Sequence, residues 1–124
     1  IGFDEKLAHL IEAGSDIYLM PSLFEPCGLN QMYSLKYGTP PVVHNVGGLA
    51  DTVADYDEET LNGTGFVFNE FKVDSMLKAV NRALILFAKK RKWTKLAKNC
   101  MKQDFSWNNS AKKYSDLFES MIKN

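Results

Sequence analysis

Behind Asp4, a residue type that caps helix starts, Leu7, Leu10 and Ile11 recur at helical spacing, and Gly14 supplies the stop. The period then changes. Residues 17–20 are a short apolar run of strand length, and Pro21 and Pro26 bracket a loop that cannot continue it. Leu29, Met32, Tyr33, Lys36 and Tyr37 outline a second helix ended by Gly38, and residues 41–44 read as a second strand. A helix between two short apolar strands implies a parallel sheet with right-handed crossovers. It also makes the C-terminal ends of the strands the ligand side.

Residues 54–62 are acidic and turn-like, and residues 63–68 read as a last short edge strand. Beyond them the pattern is helical. Asp74 is placed to cap a helix carrying Met76, Leu77, Val80, Leu84 and Phe87, with the basic run 89–92 at its C-terminal end, where the dipole favours cations. Trp93, Leu96, Ala97, Cys100 and Met101 mark a second helix of this half. Ser106 caps a third, whose stripe of Trp107, Ala111, Tyr114, Leu117, Phe118, Met121 and Ile122 is either core or a docking surface for a further lobe. Ile1, Gly2 and Phe3 read as the tail of an earlier strand. A complete doubly wound domain has about five or six strands, and fewer are countable here. The expectation is an α/β fragment: a partial Rossmann-like parallel sheet with flanking helices and a helical C-terminus, in which 1–70 forms the β/α part and 71–124 the helical part.

Composition narrows the partners. Fifteen Lys and Arg balance fifteen Asp and Glu, so no bulk field draws in nucleic acid or an anionic membrane surface. No apolar run approaches the roughly 20 residues of a membrane span. The two cysteines, Cys27 and Cys100, lie far apart and make no disulfide framework, which fits a reducing, cytoplasmic setting.

The chemistry concentrates in residues 21–53. Glu25 is followed by Cys27, Gly28 and Leu29 at a helix start, and Gly47, Gly48 and Leu49 make a second glycine-rich turn after a strand. A β-α-β unit brings such turns together, so that backbone N–H groups meet an anion from two directions with one acid beside it. That is the layout of a sugar-nucleotide site. Each feature alone also has a plainer reading. Glu25 can be a first-turn carboxylate that satisfies a helix dipole, Cys27 a small buried side chain, and Gly47 and Gly48 an ordinary strand-end turn. Cys27 is a poor nucleophile candidate, because neither His9 nor His44 is adjacent in sequence to serve as its base. Asp55, Tyr56 and Asp57 form a D-x-D triplet, but with Glu58 and Glu59 following they read as a solvated acidic loop rather than a metal site.

Taken together, Phe3-Asp4-Glu5, Pro21-Ser22, Phe24-Glu25-Pro26-Cys27-Gly28-Leu29 with Gln31, and Gly47-Gly48-Leu49-Ala50-Asp51-Thr52-Val53 resemble bacterial glycogen synthases and plant starch synthases. The resemblance implies the second half of the C-terminal, donor-binding domain of a retaining GT-B glycosyltransferase. In that family glucose passes from ADP-glucose, or UDP-glucose in some members, to the non-reducing end of an α-1,4-glucan, with no metal or other cofactor. Glu25 then matches the acid at the donor glucose. Cys27, Gly28, Leu29, Gly47, Gly48 and Leu49 match main-chain donor contacts, and Phe3 matches an aromatic that stacks on the base. Phe3 reads equally as a buried strand-end residue. The pyrophosphate-clamping Arg and Lys, the K-x-G-G-L loop and the acceptor groove of the family are implied to lie outside these residues, so the segment alone is expected to be inactive. Two further readings stand beside this one: another retaining GT-B enzyme, such as one acting on sucrose or trehalose, and a non-catalytic sugar-nucleotide module.

Overall fold

A computed structural model describes Gly2 and residues 4–122. Its elements run α1 (Glu5–Gly14), β1 (Tyr18–Met20), α2 (Asn30–Tyr37), β2 (Pro41–His44), α3 (Gly47–Thr52), β3 (Phe66–Phe68), α4 (Val73–Phe87), α5 (Lys90–Met101) and α6 (Trp107–Ile122). The strands form one parallel sheet in the order β1-β2-β3, with Tyr18 opposite Pro41 and Val42 opposite Phe66. All four residues of β2 are buried, as expected of a central parallel strand covered on both faces. Pro41 has no N–H to give the ladder and accordingly stands at the first position of its strand.

Leu35, Val42, Val43, Leu49, Phe66, Ala83, Leu96 and Cys100 form the centre of the core. Helix α4 packs on β3 and β2, and α5 closes against both α2 and α4. Burial around Cys100 pushes its thiol up to about 12, so it stays neutral and donates to the Thr64 carbonyl at 3.0 Å. Asp4 caps α1 through Leu7 N–H at 2.9 Å, and Gly38, at φ 77°, closes α2 in the left-handed conformation.

Several sequence expectations are corrected. Lys72, not Asp74, is the N-cap of α4, and Asp74 lies in the first turn, where its charge still suits the dipole. The basic run does not end α4. Lys89 is the N-cap of α5, and the lysines and arginine after it occupy the helix start, the unfavourable end for cations. Glu58 offsets this by accepting from Lys89 Nζ at 2.6 Å and Lys92 Nζ at 3.0 Å. These two bonds hold its carboxyl down to about 2.

The acidic stretch is likewise tied to the fold. Arg82 makes a bidentate pair with Asp55 at 3.1 Å and reaches the Tyr56 carbonyl at 2.8 Å, while Asp55 also accepts from Val67 N–H. Tyr56 is buried against Phe66. The stripe on α6 is not core, for no residue of that helix is buried. The strand expected at residues 1–3 falls on Ile1 and Phe3, which lie outside the described residues.

Candidate functional site

Residues 21–29 leave the C-terminal end of β1, and Asn45 and Val46 carry the chain from the C-terminal end of β2 into α3. Parallel pairing puts both exits at the same edge of the sheet. Asn45 N–H still bonds the Phe68 carbonyl at 2.9 Å, so the sheet stays paired up to the turn.

Gly47 and Gly48 are the first residues of α3 rather than a free turn. Gly47 has φ 47°, and a Cβ on it would overlap the Glu25 carbonyl; a Cβ on Gly48 would overlap the Cys27 carbonyl. The loop carrying the acid therefore lies with its backbone directly on the start of α3. Gly48 N–H donates to the Glu25 carbonyl at 2.9 Å and fastens the two. The two glycines are required by this contact within the chain itself.

Glu25 is half-buried, and its carboxylate has no ion-pair or hydrogen-bond partner among the described residues. Its reading as a first-turn carboxylate fails, because α2 begins at Asn30 with no acid in its first turn. That helix is open at its N-terminus. Leu29 is the N-cap without a side-chain cap bond, and the first amide of the region to find an acceptor is Tyr33 N–H, on the Leu29 carbonyl at 3.0 Å. No described group accepts from the N–H groups of Gly28, Leu29, Asn30, Gln31 or Met32. Such a cluster of unspent donors at a helix start is where an anion binds well.

The second turn has less to offer. Gly48 N–H is spent on Glu25 and Leu49 N–H on the Val46 carbonyl at 3.1 Å, which leaves Gly47 N–H open. Leu49 is completely buried, so its side chain packs the core. Leu29 is exposed, and so is Cys27, against its plainer reading as a small buried residue; burial belongs to Cys100. His44 is turned to the Ser22 carbonyl through Nδ1 at 3.0 Å and stacks on Phe68, and no hydrogen bond joins it to Cys27. Phe3 lies outside the described residues. Asp55 and Asp57 are at the far side of the sheet edge, Asp55 bridging Gly65 just before β3 and Asp57 capping its own turn through Glu59 and Thr60 N–H. No group of three or more potential metal ligands occurs among the described residues. No helix among them is long and apolar enough to cross a membrane.

Two polar residues that bear on the site had only a motif position and no role at the sequence level. Gln31, fully buried, sends its amide nitrogen to the Cys27 and Gly28 carbonyls at 3.0 Å and to Thr52 Oγ1 at 3.1 Å. The signal was present: Gln31, Ser34 and Leu35 share one helical face, and that face is the buried one.

Residues 1–100 match the family described as glycosyl transferases group 1. Over 125 residues the chain is 55% identical to a glycogen synthase of Hydrogenovibrio crunogenus, covering 98% of this chain and 26% of the relative. A glycogen synthase of Lactobacillus acidophilus is 53% identical over 122 residues, with 98% and 26% covered. Among solved structures, the catalytic domain of starch synthase IV from Arabidopsis thaliana, bound to ADP and acarbose, superposes with a TM-score of 0.86 at 38% identity, over 100% of this chain and 26% of that one. The chain thus spans about a quarter of the length of these relatives.

Proposed function

The chain belongs to the glycosyl transferases group 1 family, and we propose that it is the donor-binding part of a glycogen or starch synthase that moves glucose from ADP-glucose or UDP-glucose to the non-reducing end of an α-1,4-glucan, with retention. The observation that carries this reading is the clasp of the Glu25 loop onto the start of α3, which brings the backbone of a residue with an unpaired carboxylate against the start of α3, in the same loop that leads to the open amides of α2. Identity of 55% to a glycogen synthase across the segment supports the substrate class.

In this reading the diphosphate lies against the open amides at the start of α2 and against Gly47 N–H, where aligned N–H dipoles stabilise negative charge as the leaving group departs. Glu25 faces the donor glucose, and its fixed charge stabilises the positive charge that develops at the anomeric carbon. Phe3 stacks on the nucleotide base. Metal and cofactor have no part in it: the backbone amides, with the family's upstream Arg and Lys, take the charge. The glucan acceptor binds through the rest of the protein, and the enzyme works in the cytoplasm.

The test is glucan synthesis by the full-length enzyme carrying this segment, wild type against Glu25→Gln. The variant is expected to lose synthesis by about 10²-fold or more, the scale of losing a preorganised electrostatic partner, with the thermal midpoint unchanged because the Glu25 carboxylate holds no structural bond and the main-chain bond to Gly48 is kept. Wild-type turnover in Glu25→Gln ends the catalytic assignment.

A further inference from the structure

We infer that Gln31 is a positioning residue, which fixes the Glu25 loop in its reactive place by tying the Cys27 and Gly28 carbonyls to Thr52 on α3. This rests on the donor-site reading above. The bonds form a chain. Thr52 Oγ1 donates to the Gly48 carbonyl at 2.6 Å and accepts from Gln31 Nε2 at 3.1 Å, and the same Nε2 reaches the Cys27 and Gly28 carbonyls at 3.0 Å. The direct bond from Gly48 N–H to the Glu25 carbonyl closes the loop from the other side. Glu25 to Gly28 is thereby held at both ends to α3, one end by main chain at Gly48 in its first turn and the other by a side-chain amide at Thr52, its last residue.

Gln31 is not a packing residue. Its Oε1 is buried without a hydrogen-bond partner, an unfavourable state that Met or Leu at the same position would avoid. That oxygen lies against Gly28, where any Cβ would collide with the Gln31 amide, and Gly28 has φ 73°. Gly28 and Gln31 therefore fit each other. The glycine admits the amide, and the amide fixes the left-handed bend that swings the chain from Glu25 into α2. A donor of two hydrogens set between three acceptors holds a bend in register. Its effect falls on Glu25 more than on the diphosphate, because the amides of α2 are held by the helix itself.

The experiment uses the full-length enzyme carrying this segment. Gln31→Met keeps the length of the side chain and removes the donors, Gln31→Glu keeps the shape and sets an acceptor against three acceptors, and Thr52→Val removes the hydroxyl relay. Turnover and donor KM are measured with Kd for ADP and the thermal midpoint, alongside Glu25→Gln. Gln31→Met is expected to lower kcat by about 10²-fold, the cost of roughly an ångström of misplacement, with Kd for ADP within about threefold. Gln31→Glu should be at least as slow. Thr52→Val should lower kcat in the same direction by about tenfold, and combining it with Gln31→Met should add little, since both cut one chain. A purely structural role would lower the thermal midpoint while leaving kcat of the folded enzyme intact. Wild-type kcat in Thr52→Val together with wild-type kcat in a folded Gln31→Met, while Glu25→Gln is dead, overturns this inference and leaves the site reading standing. Should Gln31→Met not fold, Thr52→Val decides alone. Full activity of Glu25→Gln overturns the site reading and the inference with it.

Discussion

Gly48 has no room for a side chain: a Cβ there would sit inside the Cys27 carbonyl, and Gly47 is closed in the same way by the Glu25 carbonyl. Gly48→Ala must push the acid loop off α3. It is expected to destabilise the fold by about 1–3 kcal/mol, as overpacking does, and to lower turnover in the same protein; chaotrope unfolding and kinetics check both. Gly47→Ala adds the strain of a β-carbon at φ 47° and should be worse. The acid and the glycines were legible in the sequence because their residue types are unusual for their places. Which amides remain free was not. Whether Gly48 N–H faces a ligand or the Glu25 carbonyl depends on how close two segments about twenty residues apart approach, and a linear pattern carries no such distance.

Element positions followed from period and punctuation wherever the apolar spacing was strong, as in α2, β2 and the helical second half. Errors gathered at helix ends. The gap between α4 and α5 is short, and a basic run between two amphipathic helices serves the end of one or the start of the next equally well on paper. In the fold Lys89 and Lys92 pair with Glu58, more than thirty residues earlier, a contact that the linear pattern does not carry. That pairing has a pH signature. The Glu58 carboxyl sits at about 2 in the fold against 4.5 unperturbed, so its stabilisation is present above pH 4.5 and is lost as pH falls from 4.5 toward 2. The thermal midpoint of wild type should therefore fall toward that of Glu58→Gln across this window, and a constant gap between the two would contradict the assignment. On α2, Leu35 is completely buried between sheet and helices. Leu35→Ala is expected to cost about 2–5 kcal/mol, measured as a shift in the unfolding midpoint.

At the scale of the molecule, the sheet supplies one edge where the acid loop, the open start of α2 and the start of α3 meet, while α4 packs on β2 and β3 and α5 packs on α2 and α4. The α/β class was readable from the alternation of elements. The fate of the last helix was not, because an apolar stripe looks the same whether it packs inward or outward. Trp107 is 89% exposed and Ile122 84%, which removes the core reading for α6. Residues 1–124 produced alone are expected to make no glucan from ADP-glucose with added acceptor, since catalysis needs donor and acceptor held together; synthesis by the segment alone would contradict this. The most direct measurement is a crystal structure of the full-length enzyme with ADP and glucose. The expected result is a diphosphate oxygen about 3 Å from Gly47 N–H and from an amide at the start of α2, with the Glu25 carboxylate turned to the sugar. ADP bound away from these amides, or Glu25 turned from the sugar with no space for a hexose beside α3, would contradict the account.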